Sequence, residues 1–230
     1  MPAYTLADRP KWLTRLRSAL LARALSTLVP KRVLVSRGSA TEKKVALTFD
    51  DGPDLMTPRY IELLKKLDVH ATFFVIGDNV KLFPDAMRAY RDGGHEVAGH
   101  GMTHTAFPTL SREDLLEELN ATQALLPPPQ TRVPLVRPPK GAKSVRSVAE
   151  VAVAGYTTVM WSLDSDDCRT DSAEEVADRV INESRNGEII LLHEEQQWTL
   201  DALPKIVNGL RARGFSIVTV GELIAQSLKT

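Results

Sequence analysis

Val45-Ala46-Leu47-Thr48-Phe49-Asp50-Asp51-Gly52-Pro53 decides the reading of this chain. An apolar run of strand character ends abruptly in two carboxylates and a Gly-Pro turn. Adjacent carboxylates repel one another, so such a pair at a strand end needs a cation or a shared proton. Further along stands His100-Gly101-Met102-Thr103-His104, two imidazoles one helical turn apart, the spacing that lets both reach one metal. A His pair of this spacing is on its own more often incidental, and the Asp-Asp partner reverses that judgement. Together they point to a mononuclear metal hydrolase in which one aspartate binds the metal and its neighbour acts as base.

From residue 45 onward, strand and helix patterns alternate. Strands are expected at 45–49, 71–76, 95–98, 135–136, 157–161, 188–192 and 216–220. Helices are expected at 57–67, around 84–92, at 111–125 with Ser111 and Asp114 as a capping box, and at 144–154, 172–184, 201–213 and 221–227. This alternation predicts an α/β fold with a parallel sheet and outer helices, either a barrel or a doubly wound sheet. The polar groups of interest all follow strands: Asp50 and Asp51, His100, Arg137, Asp164 and His193. In a parallel barrel those strand ends open on one rim, where active sites are built.

Composition sets the limits around that core. With 230 residues, 43% apolar and 25% charged, the chain has the profile of an ordinary soluble globular protein. Cys168 is the only cysteine, so an intrachain disulfide is excluded. Net charge is zero but uneven: residues 1–44 hold ten Lys/Arg against Asp8 and Glu42, and residues 45–230 hold 19 against 27 acidic residues. No basic stripe interleaved with aromatics argues for nucleic acid. Residues 11–29 read as a helix with Trp12, Leu13, Leu16, Leu20 and Leu21 on one face, ended by Pro30. Its plainer reading is a helix packed on the main domain; the sharper one is a basic interfacial helix in peripheral contact with an anionic membrane. Arg15, Arg17 and Arg23 interrupt the one candidate for a secretory core, so the expected location is the cytoplasm. The expected division is a basic helical extension at 1–44 and a catalytic barrel at 45–230.

The residues resemble the NodB-homology polysaccharide deacetylases, carbohydrate esterase family 4. Thr48 to Pro53 matches the first motif, residues 71–77 the second strand, and His100 with His104 the metal-binding pair. Arg137-Pro138-Pro139-Lys140-Gly141, Asp164-Ser165-Asp166-Asp167 and Leu191-Leu192-His193 match three further motifs in the right order. The resemblance implies an irregular (β/α)7 barrel of the NodB type, here with an extra N-terminal helix. It also implies Asp51, His100 and His104 as ligands of a divalent metal, usually Zn2+, with Co2+ or Ni2+ as alternatives. Asp50 is the implied base, Arg137 its partner, and His193 the acid that protonates the departing amine. Asp164 is the implied partner of His193, the backbone N–H of Lys140 the oxyanion donor, and Leu192 a wall of the acetyl pocket. Asp167 reads as structural.

Several positions depart from the pattern: Gly101 stands for a Ser/Thr, Lys140 for an aromatic, Cys168 for a Trp and Glu194 for an Asp. His95 reads as structural, His70 as an ordinary surface or packing residue, and Phe73, Phe74 and Trp161 as core. The expected activity is metal-dependent removal of N-acetyl groups from amino sugars of chitin-like or peptidoglycan-like oligosaccharides. Two rivals accompany it: a deacetylase or deformylase of a lipid-linked amino sugar at the membrane surface, and a catalytically silent carbohydrate-binding barrel.

Overall fold

The computed structural model describes Pro30 and residues 32–225; the expected helix at 11–29 and the end of the 221–227 segment lie outside the described residues. Strand β1 is Leu34–Val35 and β2 is Lys44–Asp50, in which every residue after Lys44 is buried. Helix α1 (Thr57–Lys66), β3 (Thr72–Val75), α2 (Gly77–Leu82), α3 (Asp85–Asp92) and β4 (Glu96–Gly99) follow. Next come α4 (Arg112–Gln123), β5 (Leu135–Val136), α5 (Val145–Val153), β6 (Thr157–Val159) and β7 (Leu163–Asp164). The chain closes with α6 (Ala173–Glu183), β8 (Ile189–His193), α7 (Gln197–Ala212), β9 (Ser216–Ile217) and α8 (Val220–Ile224).

The strands form one sheet in the order β1-β6-β5-β4-β3-β2-β8-β7, with β9 on the start of β2, and every strand pair is parallel. Between β6 and β7, Met160 N donates to Val35 O and Ser162 N to Ile189 O. That irregular segment draws the two ends of the sheet together, which is the irregular barrel expected from sequence. Leu34–Val35 pairs with β6, so part of the 1–44 segment is a sheet strand.

Side chains of β2 alternate across the wall, as the strand period requires. Leu47 and Phe49 face outward into a layer shared with Tyr60, Leu64, Tyr90, Val176, Leu203 and Ile206 of the helices. Ala46 faces inward and joins Phe74, Ala98, Val159 and Ile189, closed below by Val220, Leu223 and Ile224 of α8. Helix α4 starts at Ser111, whose hydroxyl accepts from Asp114 N at 3.1 Å, the cap read from sequence.

Three local expectations are corrected. Helix α2 lies after the second strand, where no element was expected, α7 begins at Gln197 rather than at 201, and the strand expected at 157–161 ends at Val159, with β7 a separate strand beyond it. Among the described residues, no helix is long and apolar enough to cross a membrane.

Phe73 is fully buried, with ring centroids 5.1 Å from Phe49, 4.4 Å from Tyr90 and 5.2 Å from His95. Phe73→Ala removes the keystone of that outer layer and is expected to cost about 3–5 kcal/mol in urea unfolding. A loss below about 1 kcal/mol contradicts a close-packed layer there.

Candidate active site

Register places the site. Asp50 lies opposite His193 on β8 and Phe74 on β3, and Gly99, just before His100, lies opposite Val136, just before Arg137. Asp50, His100, Arg137 and His193 therefore leave the sheet at one rim, at the C-terminal ends of their strands.

Arg137 is fully buried inside the barrel. Its Nη1 donates to Asp50 Oδ1 at 2.6 Å and to Thr48 Oγ1 at 2.9 Å, and its guanidinium lies 3.9 Å from the Phe74 ring centroid. Burial pushes its pKa below the ordinary value, and the Asp50 charge and hydrogen bond oppose that shift. The Asp50 partner is what keeps a buried guanidinium tolerable.

After Asp50 the backbone turns sharply: Asp51 adopts φ 71°. Asn79 Nδ2 donates to Asp51 O at 2.7 Å, and Ile76 N to Gly52 O at 2.9 Å, which fixes the turn. Asp51 Oδ1 comes within 3.4 Å of His100 Nε2 and 3.2 Å of His104 Nε2. His100 Nδ1 lies 2.8 Å from Arg137 O, which assigns its proton to Nδ1 and leaves the Nε2 lone pair facing Asp51. Burial lowers the pKa of His104 against the pull of Asp51, with the charges of His100 and Lys140 adding to the lowering, so its neutral form is favoured.

Asp51 Oδ1 is buried and has no hydrogen-bond partner. A carboxylate oxygen facing two imidazole nitrogens, all within 4.8 Å of one another, is a set of electron donors with nothing to receive them. A divalent cation satisfies all three, and one carboxylate with two imidazoles is a donor set that suits zinc.

Glu118 was missed by the sequence reading and holds the His100–His104 loop. From α4 it accepts from Met102 N at 2.5 Å, Thr103 N at 3.0 Å and Thr103 Oγ1 at 2.6 Å. Gly101, at φ +80°, makes room for it: a Cβ there stands 3.1 Å from Glu118 Oε2 and 3.2 Å from Pro139 Cγ. The loop that lacks the usual Ser/Thr is thus anchored from a helix instead. The available signal was a glutamate sharing the buried face of α4 with Leu115, Leu119 and Thr122.

The partner expected for His193 is corrected. Asp167, fully buried, accepts from His193 N at 2.7 Å and contacts His193 Nδ1 at 2.8 Å; Thr199 Oγ1 also donates to it at 2.8 Å. Asp164 does not touch His193: its Oδ1 accepts from Asp166 N at 2.9 Å, and its Oδ2 lies 3.7 Å from Arg169 Nη1. Asp164 stands opposite Leu191, two rungs below His193, and the chain turns through Asp166 at φ 59° to bring Asp167 under the imidazole. Burial disfavours protonated His193, but hydrogen bonding to Asp167 and Cys168 and the charges of Asp167 and Asp50 outweigh it and raise its pKa to about 11. His193 therefore carries a proton at neutral pH, the state a general acid needs.

Leu192 is also corrected. It is fully buried in the outer layer with Phe49, facing the helices, so it cannot wall a rim pocket; Leu191, opposite Thr48, occupies the inward register. Cys168 Sγ lies 3.1 Å from His193 Nδ1, in the place where an aromatic was expected. Glu194, fully buried, receives the Tyr90 hydroxyl at 2.7 Å, and any side chain at Gly52 would collide with it. Burial raises its pKa to about 8, which keeps a third negative charge away from Asp50 and Asp51. Lys140 has an exposed side chain and a left-handed backbone at φ 59°, and Gly141 beside it is fitted against the Trp161 ring.

A parallel barrel with a carboxylate–imidazole cluster and a protonated histidine at one rim defines a hydrolase with a candidate metal centre. The polysaccharide deacetylase family matches residues 37–159, and the chain belongs to it. It is 34% identical over 189 residues to a peptidoglycan-N-acetylglucosamine deacetylase of Bacillus cereus, covering 80% of this chain and 89% of the relative. It is 35% identical over 186 residues to the peptidoglycan-N-acetylmuramic acid deacetylase PdaC of Bacillus subtilis, covering 79% of this chain but only 39% of that longer protein. The crystal structure of the Bc1960 peptidoglycan N-acetylglucosamine deacetylase superposes with a TM-score of 0.79 at 29% identity, covering 84% of this chain and 93% of that one.

Three mutational outcomes follow from this geometry. Asp167→Asn is expected to lower kcat on the order of a hundredfold or more and to move the alkaline limb of kcat/KM to lower pH, because it removes the charge that raises the His193 pKa. Asp164→Asn is expected to leave that limb in place; the reverse pattern restores Asp164 as the partner. Glu118→Ala is expected to weaken metal binding roughly 10–100-fold in a calorimetric titration while the fold persists, and unchanged affinity removes its anchoring role.

Proposed function

We propose that the protein removes N-acetyl groups from amino sugars of a peptidoglycan-like polymer, with zinc as its resident metal. The observation that carries this reading is one rim holding Asp50 paired to Arg137, the Asp51–His100–His104 donors, and His193 paired to Asp167.

Asp51, His100 and His104 would hold the metal, which supplies Lewis-acid polarisation of the acyl carbonyl and acidifies water at neutral pH. Asp50, paired with and oriented by Arg137, takes a proton from the attacking water as the water oxygen bonds to the amide carbon. The backbone N–H of Lys140 serves as a donor to the developing oxyanion. The carbon–nitrogen bond then breaks, His193 passes its proton to the leaving amine, and acetate departs. Asp167 keeps His193 protonated and oriented for that transfer. The names of the relatives support peptidoglycan sugars as the substrate class. The exposed Lys140 cation near His104 favours substrates bearing a nearby carboxylate or phosphate, a preference that Lys140→Tyr should remove.

The test is acetate release from chito-oligosaccharides, peptidoglycan fragments and a phosphate-bearing amino sugar, using zinc-loaded and chelated protein. Metal-dependent acetate, best from peptidoglycan fragments, is expected. Asp50→Asn is expected to keep stoichiometric zinc yet lose at least about a thousandfold in kcat, since it removes the base and no ligand. Near-normal turnover by that variant contradicts the base assignment, and no acetate from any sugar at full zinc occupancy leaves a silent barrel.

A further inference from the structure

We propose that the face of the barrel opposite the catalytic rim docks on an anionic phospholipid surface. A cavity of about 420 Å³ opens there, lined among others by Arg37, Lys43, Ser184, Arg185, Arg213 and Phe215. Four of these side chains are cations, and no carboxylate is among the lining residues described. Only Arg37 is neutralised, by Glu188 at 2.5 Å.

Arg213 spends its donors on main-chain oxygens, those of Ile181 and of Ser184 at 2.9 Å, and stacks 5.2 Å from the Phe215 ring centroid. Lys43 Nζ donates to Arg213 O at 2.7 Å and lies 5.6 Å from the same ring. Arg185 is exposed and has no salt-bridge partner among the described residues. Lys43, Arg185 and Arg213 thus form no ion pair among the described residues, Arg185 being felt by the Glu188 carboxylate only at longer range. Carbonyl oxygens and an aromatic face hold two of them in place.

The position is fixed by the strands. Gly38 N bonds Gly187 O just before β8, and Ser216 N bonds Lys43 O just before β2. The cavity therefore sits at the N-terminal strand ends, at the opposite end of the seven-residue strand β2 from Asp50, roughly 20 Å of extended chain away.

Charge complementarity selects the occupant. The chain's own residues 1–29 carry five Lys/Arg against Asp8, the wrong sign to fill a cationic basin. Those residues lead into β1 and combine basic side chains with Trp12, Leu13, Leu16, Leu20 and Leu21, a composition suited to the same lipid surface. Each Lys or Arg near an anionic leaflet contributes about 1 kcal/mol, so a cluster on one face gives an oriented contact. Docked this way, the rim points away from the lipid. Taken together with the deacetylase reading, on which this one consequence rests, the orientation favours a polymer over a lipid-linked sugar held at the surface.

Flotation of the full chain with vesicles of phosphatidylcholine alone, and of phosphatidylcholine mixed with phosphatidylglycerol, tests the docking. Binding to the mixed vesicles only, weakened by salt, is expected, with a drop of at least about tenfold for Lys43→Glu/Arg185→Glu. Arg185→Glu alone, at an exposed side chain, is expected to weaken binding several-fold while melting temperature and acetate release from soluble oligosaccharide stay unchanged. Equal binding by wild type and both variants, or no preference for phosphatidylglycerol, overturns the proposal. Docking without acetate release from any sugar leaves this face standing and removes only the deacetylase reading.

Discussion

A guanidinium buried inside a barrel is costly, and the rim of this protein is organised around that cost. Removing an ion from water carries an effective penalty of several kcal/mol, offset only by good geometry and further hydrogen bonds. Arg137 obtains these from Asp50, from Thr48 and from the face of Phe74. Its own carbonyl oxygen meets His100 Nδ1 at 2.8 Å. One residue just past the two-residue strand β5 thus pairs with the base and sets the tautomer of the first imidazole.

The rest of the site distributes charge around that pair. Asp50 and Asp51 are neighbours in sequence but diverge in space, because Asp51 takes a left-handed backbone while Asp50 stays in the strand. Asp50 is held chiefly by a guanidinium, with His100 Nε2 at 3.7 Å, and Asp51 faces the two imidazoles, so the main partner of each carboxylate differs. Glu194 approaches the same turn with its pKa raised to about 8 and bonded to Tyr90, adding bulk with little charge. On the other side, Asp167 holds His193 in its protonated state. Base and acid occupy opposing environments, which is how two proton transfers of opposite direction can share one rim.

Much of this was legible in the sequence because the chemistry sits at strand ends. Asp50, Asp51, His100, Arg137 and His193 each follow an apolar run, and parallel strands carry such positions to one side. What the sequence hid depends on where the backbone turns. Asp164 and Asp167 are separated by a left-handed residue at Asp166, and spacing alone does not show that the second carboxylate reaches His193. Leu191 and Leu192 differ only in strand phase, which the register with Thr48 and Phe49 resolves. Glu118 stands out as a glutamate on the buried face of α4, but the Met102 and Thr103 groups it accepts from are not legible in side-chain patterns. Leu34–Val35 is too short for a periodic signal and is a strand only because β6 accepts it.

The most direct test of the account is where a metal binds. Two clusters of ligand-type atoms exist among the described residues: Asp51 with His100 and His104, and Asp167 with Cys168 and His193. The second is already spent on hydrogen bonds around His193. Anomalous diffraction at the zinc edge from crystals grown with zinc distinguishes them. The account predicts one strong peak, about 2.0–2.2 Å from Asp51 and from both His100 and His104. A peak at Cys168 and His193 instead, or none at full zinc saturation, contradicts it.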